Sequence, residues 1–408
     1  MDGGAFSVGS PAHLSFLDLA CSMPLGWNGD RPRAPRPSSL ENARAEVFSS
    51  SFGRGPCYIP FSGGRESSMW LAIATNHARS RGHEDPIPVT LRHPGLTSAQ
   101  ELEVGERVVA HLGLEDWERV EADDLDLIGA LAGSTLARIG PFWPANAYTM
   151  APLIEAARGG VFVFITGLAD FFSWWRWAPL AGFIAARRRP SKRDLALLGT
   201  ALMPVSLRVR AARRRGFPPP MPWLRPVPER DALALLRRRQ ADVPIRFDRA
   251  MVMQLTHRCF DGAASTFSAL GEALGTSVDQ PLRRPGVVES FAGAGGGRGF
   301  RGPGDMLRAM CGDLLPSDLL ARRSGTDLTR VFFGEASREF AANWSGAGLD
   351  ESMIDAAALR RSWLSDRPDP RAACLLQYAW LTEQQSVAGA GLSTGELVLT
   401  NSNQREAA

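Results

Sequence analysis

The chain has 408 residues, 44% of them hydrophobic and 22% charged, with a formal net charge of +3. That length fits two or three domains, or one large α/β unit with a helical companion, and the apolar share supports a sizeable core. The modest charge gives no reason to expect a nucleic-acid partner. The five cysteines are widely spaced, none forms C-x-x-C, and no histidine cluster accompanies them; a zinc site and a disulfide framework are both disfavoured, and a reducing cytoplasm fits. Lys192 is the only lysine, so a mechanism that needs a catalytic lysine has one candidate. No secretory signal is visible, and no apolar run is long enough to span a bilayer.

In chain order, residues 1–50 read as an extension: a short helix within Ala12–Leu25, a Pro/Arg linker over Asn28–Ser39 and a weak helix over Leu40–Ser50. Residues 51–186 then alternate. Strands are expected over Cys57–Phe61, Ile87–Leu91, Trp117–Val120 and Val161–Thr166. Helices are expected over Ser67–Arg81, Ser98–Leu112, Leu125–Arg138 and Ala147–Ala157, with another after Asp170. Strands joined by helical crossovers imply a mostly parallel sheet with helices on both faces. Phe171–Trp177 is dense in aromatics and reads first as packed core, second as one wall of a pocket.

Residues 187–240 form an Arg/Pro-rich insertion. Leu195–Arg210 has the pattern of one basic amphipathic helix, and a solvated insertion with a mobile loop is preferred over contact with nucleic acid or an acidic membrane. Residues 241–395 are mainly helical: one or two helices over Arg246–Leu274, then Asp305–Leu320, Asp327–Trp344, Met353–Trp363 and Arg371–Gln385. The glycine-rich stretch Ala292–Gly304 reads as a flexible connection, or else as an active-site flap. Residues 396–408 are a tail.

The most informative stretch is Ser62-Gly63-Gly64-Arg65-Glu66-Ser67-Ser68, between the first strand and the first long helix. Glycines let the backbone turn sharply and approach a ligand. The helix start leaves amide N–H groups unpaired at the positive end of the dipole, and serine hydroxyls add donors. Such a place suits a phosphate or pyrophosphate. The string is neither a Walker loop nor a Rossmann fingerprint. Its competing reading is an ordinary glycine turn capping a helix.

The S-G-G-x-[D/E]-S-S pattern resembles the pyrophosphatase-type loop of enzymes that split ATP between its α and β phosphates. From Tyr58 to Glu383 the chain resembles the synthetase domain of the asparagine synthase family, whose relatives include β-lactam synthetases and lasso-peptide cyclases. The landmarks follow in order: the Ser62–Ser68 loop, Pro88-Val89-Thr90-Leu91, Thr166-Gly167 with Asp170 behind, Pro281-Leu282, Met306-Leu307-Arg308, Leu314-Leu315-Pro316 and Arg322-Arg323. The resemblance implies an α/β fold, with a parallel-sheet adenine-nucleotide α-hydrolase-like core and a mainly helical C-terminal half. It implies ATP and Mg²⁺ as cofactors, adenylation of a small-molecule or peptide carboxylate, and amide formation with ammonia or an amine. In relatives the metal ligands fall at positions matching Glu66 and Asp170; adenine contacts match Phe61 and Leu91; contacts to ribose and the α phosphate match Thr166 and Gly167. The phosphates would lie on Ser62, Gly63, Gly64, Glu66, Ser67 and Ser68.

The departures from the family pattern carry meaning. Glu66 stands where relatives have aspartate, and the loop from Thr166 to Asp170 is one residue shorter. Two family lysines fall at Gly304 and near Gly325, leaving Arg308, Arg322 and Arg323 as the candidates to neutralise pyrophosphate, with Arg301 beside them. Residues 1–50 are too few for a glutaminase domain, so ammonia, an amine or a partner protein that supplies nitrogen is expected instead. The same departures open an alternative: a family member without catalysis, acting as a partner protein in a biosynthetic cluster.

Overall fold

The computed structural model describes residues 10–29, 33–94, 99–165, 175, 177–180, 183, 189, 191–321 and 329–386. Its centre is a five-stranded parallel sheet in the order β3-β2-β1-β4-β5, formed by β1 (Cys57–Pro60), β2 (Ile87–Arg92), β3 (Glu118–Glu121), β4 (Val161–Val163) and β5 (Ser277–Asp279). Every pairing is parallel: Tyr58 lies opposite Ile87 on one side and Phe162 on the other, and Val163 lies opposite Asp279. Helices α1 (Phe16–Ala20) and α2 (Leu40–Val47) precede the sheet; parallel neighbours require crossovers, and helices α3 (Arg65–Arg81), α4 (Ala99–Leu112), α5 (Ala130–Ile139) and α6 (Ala151–Ala156) occur between the first four strands. The expected α/β architecture with a mainly helical C-terminal half is the one observed.

Alternation along the strands divides the core in two. Cys57, Ile59, Val161 and Val163 face one apolar layer, shared with α3, α4, Phe247 and Met306. Val89 and Phe162 face the other, shared with α5, α6, Phe267, Trp344 and Trp363. The C-terminal helices therefore complete both layers. Asp126 is one tie between the halves: its carboxylate accepts the Ile128 and Ser337 amides at 3.1 and 3.0 Å and the Ser337 hydroxyl.

Several sequence expectations change in detail. The helix expected to start at Ser67 starts at Arg65, capped by Gly64. The helix expected from Leu125 starts at Ala130, because the Asp124 carboxylate accepts the Asp126 and Ala130 amides at 2.8 Å each and holds the intervening residues in a turn. Leu195–Arg210 is two helices, Lys192–Leu202 and Val205–Arg214, broken at Pro204. The segments 305–320 and 327–344 likewise divide, near Gly312 and Gly334.

The insertion is less solvated than expected. Met221 and Trp223 within it are buried, Trp223 Nε1 donates to the Ala20 carbonyl at 2.9 Å, and Arg371 holds the Pro219 and Pro220 carbonyls at 2.8 and 3.0 Å. The glycine-rich stretch is also not a loose connection. Pro285–Gly295 is helical, and a Cβ on Gly295 would sit 2.3 Å from Phe247 Cε1, so this glycine lets the helix close onto an aromatic ring. Of the aromatic run, Trp175 and Trp177 are buried core, and Phe171, Phe172 and Trp174 lie outside the described residues.

Candidate functional site

The strand order reverses direction around β1: the chain moves outward through β2 and β3, then returns to place β4 on β1's other side. The crevice at the carboxyl ends of the strands on either side of such a switch is where open α/β sheets bind ligands. The Ser62–Ser68 loop follows β1 and lies there.

The loop is pre-shaped. Gly63 takes φ +74, which L side chains rarely adopt. Ser67 Oγ accepts the Ser62 amide at 3.2 Å, lies 3.2 Å from Ser62 Oγ and donates to the Gly64 carbonyl at 3.1 Å; Ser68 Oγ donates to the same carbonyl at 2.8 Å. The serines thus fold the turn onto itself and leave the helix start facing outward. Helix geometry leaves the first-turn amides without intrahelical partners. Downstream, α3 buries Trp70, Leu71, Ile73 and Ala74 and ends at Gly82 with φ +69, with Glu66 in its first turn and Arg79 and Arg81 in its last, an arrangement that favours the dipole.

Phe61 continues β1 toward the loop. Its amide donates to the Val89 carbonyl at 2.8 Å, and its carbonyl accepts the Thr90 hydroxyl, which itself accepts Trp117 Nε1 at 2.9 Å. The Phe61 and Trp117 rings meet edge to face at 5.5 Å. Leu91 is one residue beyond Thr90 on β2, paired with Val120.

A second element brings another cation toward Arg65 of the loop. The helix Pro303–Cys311 packs against α3. A Cβ built on Gly304 would lie 3.7 Å from Arg65 Nη1 and 3.8 Å from Arg308 Nη1. Both guanidinium groups therefore stand over one point, the position where the family pattern has a lysine. Arg65 has no carboxylate partner among the described residues, and Arg308 has only Asp305 at 3.9 Å. Two like charges beside a helix N-terminus are chemically suited to an anion. Sequence reasoning named Arg308 but missed Arg65, which occupies the variable position of the loop pattern. Arg301 is exposed, and its amide donates to Asp305 at 3.1 Å. Lys192 opens an exposed helix of the insertion. Thr166, Gly167, Asp170, Arg322 and Arg323 lie outside the described residues.

A cavity of about 590 Å³ adjoins the loop, and Glu66 forms part of its wall. The other walls come from residues 143–150, from Phe164 just after β4, from the start of the helix Arg258–Leu274 and from Gln280–Arg283 after β5. His257 lines it, buried, with its pKa pushed down to about 2 by burial first and then by Arg239 and Arg258. Its Nδ1 accepts the Cys259 amide at 3.0 Å, so the neutral ring carries its proton on Nε2. Cys259 also lines the cavity, but burial pushes its thiol up to about 12, and the other four cysteines are likewise buried and raised to about 11 or 12. None offers a thiolate nucleophile near neutral pH.

No three His, Cys, Asp or Glu side chains gather as a metal site among the described residues. Magnesium needs less from a protein, since one or two carboxylates suffice when phosphates supply the remaining oxygens. Glu66, in the first turn of α3, is the right donor type for that. No helix among the described residues is long and apolar enough to cross a membrane.

Fold and site together define a doubly wound α/β protein with an arginine-flanked glycine–serine loop beside a cavity. No known protein family matches the chain, and no curated protein matches it.

Proposed function

We propose that the chain is an ATP-dependent carbon–nitrogen ligase of the kind its motifs resemble, the synthetases of the asparagine synthase family. The observation that carries this reading is the Ser62–Ser68 loop at the switch point, with Arg65 and Arg308 over the position of the missing lysine. Loop amides and the two guanidinium groups would hold the β and γ phosphates. A substrate carboxylate oxygen attacks the α phosphorus, the bond to the bridging α–β oxygen breaks, and pyrophosphate leaves with its new charge met by the arginines. Ammonia or an amine then attacks the acyl carbon, AMP departs, and the nitrogen loses its proton. Glu66 would hold Mg²⁺, with Asp170 as the second ligand in the family pattern; the ion, when bound, neutralises phosphate oxygens.

The test is exchange of labelled pyrophosphate into ATP with the pure chain, magnesium and a panel of carboxylic acids. The expected result is acid-dependent exchange that Arg308→Ala removes. Retained ATP binding with no exchange for any acid would favour the alternative, a partner protein without catalysis. Failure to bind ATP at all would overturn the ligase reading and leave the partner protein without catalysis.

A further inference from the structure

The cavity beside the loop has a composition that bears on which acid the site takes. One face of the helix Arg258–Leu274 presents Phe260, Ala263, Ala264 and Phe267 to it, at the spacing of one helical stripe. Phe267 stacks on Phe164 at 3.7 Å, and Trp143, Met150 and Leu282 add further apolar surface. Among the described residues, the charged side chains lining it are Glu66, at the loop, and Arg283, which is exposed.

The polar groups inside are neutral. Gln280 is occupied, its Nε2 donating to the Ala264 carbonyl at 2.9 Å and to Ser268 Oγ at 3.0 Å. Gln254 differs. It is 3% exposed, it lines the cavity, and its Oε1 has no hydrogen-bond partner among the described residues. A buried acceptor without a donor is costly, and native proteins rarely keep one without a reason. A ligand N–H or O–H in the cavity would satisfy it.

A small, highly polar dicarboxylate such as aspartate fits this surface poorly. Its second carboxylate would meet aromatic walls, with Arg283 as the one lining cation among the described residues. A cavity of about 590 Å³ is also roomy for it and falls within the range that holds drug-sized ligands. We propose that the cavity receives the organic body of the carboxylate substrate, an acid with an aromatic or large aliphatic body and a hydrogen-bond donor that meets Gln254. The reacting carboxylate then lies at the Glu66 end, next to the phosphate loop. This proposal rests on the ligase reading and narrows its substrate class.

The experiment is calorimetric titration of the full chain with indole-3-propionate, cinnamate and aspartate, and separately with Mg²⁺ and α,β-methylene ATP. The two aromatic acids are expected to bind at least tenfold more tightly than aspartate. Ala263→Trp, which fills the cavity, is expected to weaken both aromatic acids at least tenfold and leave the ATP analogue unchanged; Met150→Trp serves if the first variant does not fold. Gln254→Leu is expected to weaken indole-3-propionate, which has an N–H, more than cinnamate, which has none. Aspartate binding as tightly as the aromatic acids, or aromatic binding indifferent to a filled cavity, would overturn the proposal. ATP-analogue binding without aromatic-acid binding would sink the proposal alone, whereas loss of both would sink the ligase reading with it.

Discussion

The Ser62–Ser68 loop and the neighbouring cavity share Glu66 and little else. The loop is open, built from backbone amides and serine hydroxyls, and flanked by Arg65 and Arg308. The cavity is walled by aromatic rings and neutral polar groups. The first is made to meet charge and does not depend on size. The second is shaped by volume and desolvation and offers almost no charge. A ligase needs both kinds of surface side by side: one to hold a leaving pyrophosphate, the other to choose an acid. Glu66 is the one loop residue in the cavity wall, so it is where the two can be coupled or separated.

Substitution of Glu66 should separate them most sharply. Glu66→Gln keeps the shape and removes the hard anionic ligand, and pyrophosphate exchange is expected to fall by about 100-fold or more, while ATP binding measured without magnesium stays as it was. Equal losses with and without the metal would mean that Glu66 acts through the shape of the loop.

The cavity side makes its own prediction through pH. His257 in the folded chain resists protonation down to about 2, while in the unfolded chain it takes a proton near its ordinary value of 6.5. The unfolded state thus binds the extra proton, so this histidine's contribution is complete above pH 6.5 and is lost as pH falls below it, by about 1.4 kcal/mol per pH unit. Denaturant melts of His257→Gln between pH 7 and 5 should show a flatter slope than the parent chain. An identical slope in the two proteins would remove His257 from the account.

Within the loop the smallest effect is expected at Ser67→Ala. The hydroxyl that accepts the Ser62 amide is lost, a net change of about 1 kcal/mol, or roughly fivefold in ATP affinity, and acid binding in the cavity should not change. A loss of acid binding equal to the loss of ATP binding would show that the two regions are one unit.

The sequence made the loop legible and left the cavity hidden, for physical reasons. A short apolar strand, two glycines and a helix start are local, and so β1, the loop and α3 could be read within two residues. β5 is three residues, Ser277-Val278-Asp279, with no apolar run to announce it; its pairing with β4 joins segments far apart in the chain. Helices broke at Pro204 and near Gly312 and Gly334, where apolar periodicity continued but the backbone turned. Arg65 was overlooked because a motif's variable position says nothing of the neighbour that meets it. Glu66, Phe164 and Gln254 come from three separate segments, and only the closed fold brings them to one surface.

The central claim is that the arginine-flanked loop holds the polyphosphate of ATP. The most direct measurement is equilibrium binding of α,β-methylene ATP and of AMP to the parent chain and to the Arg65→Ala/Arg308→Ala double variant. Charge-assisted hydrogen bonds of about 1.5–3 kcal/mol for each arginine predict a loss of at least about 100-fold for the ATP analogue in the double variant, with little change for AMP. Undiminished binding of the ATP analogue by the double variant would contradict the account.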